Sequence, residues 1–376
     1  MNPHSVTEMT NVRGKKVILR LDLNVPLRDG KVFNDFRIRK SMPTIELLQS
    51  RGARIIILSH CEGKESSTLK PVFDYLKERM PISFVEKYVD ENTVEVVNNL
   101  KDGESVLFEN LRNYPGEKEN NQDFAKSLAD LADFYVNEAF SSSHREHASI
   151  VGIPKYIPGF MGLLLQSEVE HLSKTFSPPH PFVFILGGAK FDTKIPLIKK
   201  FLQIADIVFV GGALAHNFFR ELGYNIGAST VSDGDFGLKE MLDTKKIILP
   251  TDVVVKNGDE ISIKTISEVG DGEIIVDAGA ETLLKLSELV NDAKYVLWNG
   301  PLGNFEIGFK EGTLELAGKI ADSASESVVG GADTLAAIAS MSLEKQFNFV
   351  SSGGGAMLDF LANGTLTGIE ALKNKN

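Results

Sequence analysis

Short apolar runs recur along the chain, separated by segments whose apolar residues follow helical spacing. VILRL, RIIIL, SVLF and DFYV occupy the first half, and FVFIL, DIVFV, KIIL, EIIV, YVLW, SVV and FNFV the second. Runs this dense in β-branched and aromatic residues read as strands buried on both faces, and their alternation with helices predicts parallel sheets covered on both sides. Between the halves, GFMGLLLQSEVEHLSKTF carries apolar positions at helical spacing and SPPHP stops it. That predicts one helix acting as a hinge. From Asp252 to Ile275 the pattern alternates and turns at Asn257-Gly258 and Asp271-Gly272, which predicts a small antiparallel excursion.

Four runs of the second half end in adjacent glycines: Gly187-Gly188, Gly211-Gly212, Gly330-Gly331 and Gly353-Gly354-Gly355. One such turn is ordinary turn chemistry. Four at strand ends predict an edge where the backbone approaches a ligand closely and offers N–H groups to an anion. The arginines are distributed in the opposite way. Ten of the eleven lie between Arg13 and Arg145, and only Arg220 lies beyond, so the two halves carry different chemistry. The first sixty residues hold eleven Lys or Arg against five Asp or Glu, within a chain of net charge −11. A basic region on an acidic chain predicts a small anionic ligand and argues against a nucleic-acid surface.

At 376 residues and 43% hydrophobic, the chain is long enough for two cores. MNPHSVTEMT lacks a basic stretch followed by an apolar one, and no run is long enough to span a bilayer, so a cytoplasmic protein is expected with no membrane partner. The single cysteine, Cys61, reads as a small buried residue at a strand end.

In open α/β sheets ligands gather outside the carboxyl ends of strands. In the first half those ends carry Asp22 and Asn24, Ser59-His60, Glu109 to Arg112, and Asn137 to Arg145. An acid, an amide, an imidazole and two arginines at one edge suit a hydroxyl-bearing phosphorylated acid, against surface ion pairs for Arg112 and Arg145 and loop caps for Asn137 and Ser141. In the second half they carry Lys190 and Lys194 in GGAKFDTK, Glu306 in WNGPLGNFE, and Asp333-Thr334 in GGADT. Lysines four apart share a helix face, and if the helix starts at the Gly187-Gly188 turn both reach one phosphate chain. Asp333 is a candidate Mg²⁺ ligand or a helix N-cap.

LDLNVP, DFRIRKSMPTI, ENLR, VNEAFSSSHREHAS, ILGGAKFDTKI, WNGPLGNFE, GGADT and VSSGGGA together resemble the phosphoglycerate kinase family, in the family's order and from about Val12 to Leu372. The resemblance implies two Rossmann-like, doubly wound lobes joined by a hinge helix. The first, 1–158 rejoined by 362–376, would take 3-phosphoglycerate or 1,3-bisphosphoglycerate; the helix would span 159–177; the second lobe, 178–361, would take ADP or ATP with Mg²⁺. It carries Asp22, Asn24, Arg37, His60, Arg112 and Arg145 over as acid-substrate positions, with Arg37 on the transferring group. It carries Gly188, Lys190, Lys194, Gly211, Gly212, Glu306, Gly331, Ala332, Asp333 and Thr334 over as nucleotide positions, with Glu306 toward the ribose, Gly211 and Gly212 flanking the adenine, and Asp333 on the metal. A monomer is the expectation from resemblance alone.

Such a reaction needs no strong general base, because a terminal phosphate oxygen attacks an acyl phosphate and a carboxylate leaves. Charge neutralisation is the task, and Arg37, Lys190, Mg²⁺ and the N–H groups of Gly354 and Gly355 fit it. Lobe closure would complete the site and exclude water. The chain departs from the family where SHLGRP is usual and Ser59-His60-Cys61-Glu62-Gly63-Lys64 stands, so an arginine is replaced by Gly63 and Lys64 becomes a candidate substitute. Ala332 and Ile275 replace common glycines, Ile275 near the expected base. Two rivals fit less well. A two-lobe anion-binding protein leaves the glycine turns and paired lysines unexplained, and a dinucleotide-dependent dehydrogenase needs a G-x-G-x-x-G that no segment supplies.

Overall fold

The computed structural model describes residues 3–62, 67–87 and 89–374. The chain forms two compact units, Met1–Glu170 with Asn363–Asn376, and His171–Ala362. In the first unit the strands are β1 (Lys16–Arg20), β2 (Arg54–Leu58), β3 (Ile82–Val85), β4 (Ser105–Phe108), β5 (Phe134–Asn137) and β6 (Gly159–Met161). They form one sheet in the order β3-β4-β2-β1-β5-β6, every pair parallel. β1 is central because KVILR presents apolar side chains to both faces, where Val17 and Leu19 are fully buried among Ile45, Leu48, Ile55 and Ile57. The chain runs from β1 to one side and returns on the other, so the order reverses between β1 and β5. A crevice opens at such a switch point.

The second unit repeats the plan. β7 (Phe182–Leu186), β8 (Ile207–Val210), β9 (Ile247–Ile248), β13 (Tyr295–Asn299), β14 (Glu326–Gly330) and β15 (Phe349–Val350) stand in the order β9-β8-β7-β13-β14-β15, again parallel. Its switch point lies between β7 and β13. The expected excursion is present: β10 (Asp252–Asn257), β11 (Glu260–Thr265) and β12 (Ile274–Ala278) form an antiparallel sheet, with Gly258 at φ +59° in the tight turn between β10 and β11. Among the described residues no helix is long and apolar enough to cross a membrane.

The segment expected as a single hinge helix over 159–177 is built differently. Gly159–Met161 pair with Tyr135–Asn137 as edge strand β6, and the helix runs only from Leu163 to Lys174. Two tertiary contacts override the local helical spacing. A Cβ on Gly159 would lie 2.7 Å from Leu372 Cδ2, so the leucine of the carboxyl-terminal segment packs directly on the glycine backbone. Glu138, which ends the β5 segment, accepts from the N–H groups of Leu164 (3.0 Å) and Leu165 (3.4 Å) and from the Thr44 hydroxyl, which fixes where the helix begins. Gly162 makes this approach possible, since a Cβ there would overlap the Glu138 carboxylate.

Burial pushes the Glu138 carboxyl up to about 8, and the helix N–H donors and Thr44 only partly offset it. A carboxyl raised in the folded state stabilises fully below its unfolded value and loses that contribution as pH rises through the folded one. The Glu138→Gln variant keeps an acceptor for the helix and cannot ionise. Its stability relative to wild type is expected to improve between pH 5.5 and pH 8.5, read from urea-unfolding midpoints, and a difference independent of pH would contradict this.

Candidate active site

In the first unit, the residues after β1, β2, β4 and β5 converge on the switch point. Asp22 is buried, and its carboxylate receives the Arg37 guanidinium at 3.0 Å, the Asn24 N–H at 3.1 Å and the Ser141 hydroxyl. Burial pushes its pKa up, but Arg37, His60 and those hydrogen bonds more than offset it, so the carboxyl stays below the usual range. Arg37 stands in the first turn of α1 (Phe36–Ser50) and also donates to the Asn24 carbonyl at 2.9 Å, its side chain one-third exposed. Ser141, expected as a loop cap, is instead a ligand of Asp22. Asn137 holds the loop, accepting from Ala139 N–H and donating to Ser143.

His60 is buried beside Arg20, whose Nη2 lies 3.2 Å from His60 Nδ1. A guanidinium only donates, so Nδ1 accepts and the imidazole proton sits on Nε2. Burial and the Arg20 charge push the His60 pKa well below its ordinary value, leaving a neutral hydrogen-bond donor at neutral pH. Arg20, fully buried, also donates to Ser149 Oγ (2.8 Å), which donates to the enclosed Glu117 at 2.6 Å. Arg20, Ser149 and Glu117 escaped the sequence reading. The available signal was an arginine inside the buried run KVILRL.

Arg112 is also enclosed, its side chain only 4% exposed. Its Nη1 pairs with Glu62, while Nε and Nη2 have no hydrogen-bond partner among the described residues. Burial, then the charges of Arg145 and Arg20, push its pKa down to about 10. His147, nearby in the same field, is pushed down to about 4. Arg112 does make an ion pair, with the half-exposed Glu62, but its own donors are buried and, among the described residues, incompletely satisfied. Asn110 supports this loop: its Oδ1 accepts from Cys61 N–H and Arg112 N–H, both at 3.1 Å, and its amide donates to the Cys61 carbonyl. Cys61 is buried in the apolar core, as expected. Gly63 and Lys64 lie outside the described residues. Arg145 is carried on a loop held by the carboxyl-terminal segment, through Gly368 N–H and the Thr367 hydroxyl to the Ser143 carbonyl.

In the second unit the glycine turns meet at the other switch point. Gly187 N–H donates to the Asn299 carbonyl (2.9 Å) and Gly188 N–H to the Pro301 carbonyl (2.8 Å), joining the ends of β7 and β13. Gly188, Gly212, Gly331 and Gly354 have φ of +92°, +58°, +105° and +53°, the left-handed region that favours glycine. A Cβ on Gly211 would meet Leu302 at 2.8 Å and Phe209 at 2.9 Å and force those side chains to shift. Gly355 opens the helix Gly355–Asn363. Ala332 begins the helix Ala332–Ser340 and the positive φ falls on Gly331 before it, so alanine is tolerated in place of glycine.

The helix carrying the lysines starts at Phe191, with Lys190 just outside it rather than inside as expected. Lys190 is exposed and Lys194 is buried against the glycine turn, donating to the Gly187 carbonyl. Burial pushes the Lys194 pKa down to about 8, with Asp333 acting to raise it and Lys190 to lower it further. Asp333 is exposed at the helix start and makes no capping bond, since Gly331 occupies the N-cap. Thr334 is buried, and its hydroxyl accepts from Gly300 N–H at 3.1 Å. A concave pocket beside the turns is lined by Gly188, Gly212, His216, Ile275, Glu306 and Asp333. His216 had no sequence signal. Its Nδ1 donates to the Thr230 carbonyl (2.8 Å), and burial pushes its pKa down, so Nε2 is an acceptor.

A buried basic cluster thus stands at one switch point and a glycine and lysine edge at another. The model of the family described as phosphoglycerate kinase matches residues 6–364. The chain belongs to the phosphoglycerate kinase family. It is 40% identical over 384 aligned positions to the phosphoglycerate kinase of Dictyoglomus turgidum, covering 97% of each chain. Among solved structures it is similar to phosphoglycerate kinase from Coxiella burnetii, with a TM-score of 0.85, 35% identity, and 99% and 98% of the two chains covered. It is also similar to phosphoglycerate kinase from Pyrococcus horikoshii, with a TM-score of 0.85 and 30% identity over 98% of each. As a member of this family the chain is a kinase that transfers phosphate to a carboxyl group, with a nucleotide as the other substrate.

Proposed function

We propose that the first unit binds 3-phosphoglycerate or 1,3-bisphosphoglycerate through Asp22, Asn24, Arg37, His60, Arg112 and Arg145. The second binds ADP or ATP through Gly188, Lys190, Lys194, Gly211, Gly212, Glu306, Gly331, Ala332, Asp333 and Thr334. The observation that carries this reading is Arg112, an enclosed guanidinium with unsatisfied N–H donors, which an anionic group would complete. In the direction of ATP formation the terminal phosphate oxygen of ADP attacks the acyl phosphorus. The new P–O bond forms as the bond to the acyl oxygen breaks, and the carboxylate leaves without a proton. Arg37, Lys190 and the N–H groups of Gly354 and Gly355 stabilise the charge spread over the transferring group. Thr334 also holds the Gly300 turn, its hydroxyl accepting from the Gly300 N–H.

Among the described residues no three His, Cys, Asp or Glu side chains cluster to hold a metal. Asp333 alone fits Mg²⁺ that takes its other ligands from phosphate oxygens and water, and magnesium bound there would neutralise phosphate charge. Closure of the two units on the paired substrates, a monomeric state and a cytoplasmic location belong to the same proposal. The test is to mix protein, Mg-ATP and 3-phosphoglycerate, couple 1,3-bisphosphoglycerate to glyceraldehyde-3-phosphate dehydrogenase, and follow NADH oxidation. No NADH consumption while Mg-ADP still binds would overturn the substrate assignment.

Lys194 supplies a pH signature. A polyphosphate beside its ammonium raises a pKa that starts at about 8, so the complex holds more protons than the free protein and affinity falls as pH rises above 8. Titration calorimetry of Mg-ADP at pH 8.2, in two buffers of different ionisation heat, should show uptake of roughly half a proton. The Lys194→Met variant should show none. Equal uptake by both would remove Lys194 from the site.

A further inference from the structure

Where the resembled motif has glycine, this chain places Glu62, and the side chain it adds points into the basic cluster. The Glu62 backbone is fixed by its N–H to Asn24 Oδ1 at 3.0 Å. Its carboxylate pairs with Arg112 Nη1 and lies 3.7 Å from Lys118 Nζ. The partners differ sharply in environment: the Arg112 side chain is 4% exposed and Glu62 is 48% exposed. The guanidinium is therefore a fixed, enclosed receptor, and the carboxylate is an occupant that reaches it from the solvent side.

We propose that Glu62 is a specificity-determining residue, an internal competitor whose carboxylate holds the Arg112 anion position until a more highly charged group displaces it. This rests on the assignment of Arg112 to the acid substrate. Arg112 also faces the like charges of Arg145 and Arg20, offset in part by Glu117 and Asp22, and Glu62 adds a carboxylate in direct contact from the solvent side. When the carboxylate leaves it returns to water, so its own desolvation cost is small, whereas Arg112 stays enclosed and needs a replacement anion. A phosphate ester carries close to two charges and three acceptor oxygens, against one charge and two oxygens on Glu62. It can satisfy Nη1 together with the unpartnered Nε and Nη2. A monoanionic carboxylate gains nothing by replacing another, so the device rejects small organic acids and raises the concentration of phosphorylated acid needed for saturation.

The experiment compares wild type with Glu62→Gln, Glu62→Ala and Arg112→Gln in the coupled assay. Both Glu62 variants should lower KM for 3-phosphoglycerate about 2–5-fold, as expected for loss of one partly exposed ion pair, with kcat and KM for ATP within about twofold. In Glu62→Ala, acetate should become competitive with 3-phosphoglycerate at concentrations that leave wild type unaffected, because it fills the vacated place. A purely structural Glu62 would change kcat, KM for ATP and melting temperature together, without acetate sensitivity. Unchanged or raised KM for 3-phosphoglycerate in both Glu62 variants, alongside a raised KM in Arg112→Gln, overturns the competitor and leaves the substrate assignment standing. An unchanged KM in Arg112→Gln overturns both.

Discussion

Replacing Arg37 with alanine is expected to lower kcat by roughly 10²–10³-fold, the usual loss on removing one preorganised donor from a site where charge develops. Arg37 is held from two sides, by Asp22 at 3.0 Å and by the Asn24 carbonyl at 2.9 Å, both through Nη1. The rest of its planar fork is thereby aimed without rotamer entropy to lose at the moment of reaction. Asp22 keeps the Ser141 hydroxyl and the Asn24 N–H after the substitution, so its loop should persist. The coupled assay should therefore show a fall concentrated in kcat, with KM for ATP little changed. Arg37→Lys should recover only part of the rate, because a point charge cannot reproduce the fork. A kcat within about threefold of wild type in Arg37→Ala would remove Arg37 from the chemistry.

Gly187→Ala is expected to have the largest effect in the second unit. The added Cβ would lie 2.1 Å from the Pro301 carbonyl oxygen and 2.8 Å from that of Gly300. Both are backbone atoms, so no rotamer change relieves the overlap. The β7 and β13 ends must separate, breaking the Gly187–Asn299 and Gly188–Pro301 hydrogen bonds and the Lys194 contact with the Gly187 carbonyl. Overpacking of this kind costs about 1–3 kcal/mol, before the broken hydrogen bonds add about 1 kcal/mol each. A fall in Tm of about 8–24 °C follows for a unit of this size. Mg-ADP affinity measured by calorimetry should fall about 100-fold or more, if a loss of about 3 kcal/mol reaches the turn. Gly272→Ala is the control. Its Cβ would meet nothing nearer than 3.8 Å and its φ is not positive, so it should leave both quantities unchanged. Near-wild-type nucleotide affinity in Gly187→Ala would mean that the paired turns do not form the nucleotide edge.

The two parallel sheets were legible because fully buried strands need continuous apolar runs, and VILRL, RIIIL, FVFIL and YVLW are such runs. ISFV, which forms edge strand β3, and GFM, which forms β6, were missed. Each is short and carries too little alternation to separate it from helix or loop, and their pairing comes from Ser105–Phe108 and Tyr135–Asn137. The polar residues after each run were visible as departures from the apolar pattern. What they do was not: nothing local showed that the Thr334 hydroxyl holds Gly300, and Ser141 looked like a cap and holds Asp22.

By itself the sequence determined two α/β units, a basic first half, a glycine-edged second half and motifs specific to one family, because strand burial and turn chemistry are written in neighbouring residues. Only the tertiary structure decided that Arg20 makes His60 a neutral donor, that Glu138 starts the helix at Leu163, that Lys194 is buried to a pKa of about 8, and that Glu62 sits on Arg112. Each depends on desolvation or on a partner from another strand end. Those are set by how the sheet brings distant segments together, and nothing local in the chain encodes them.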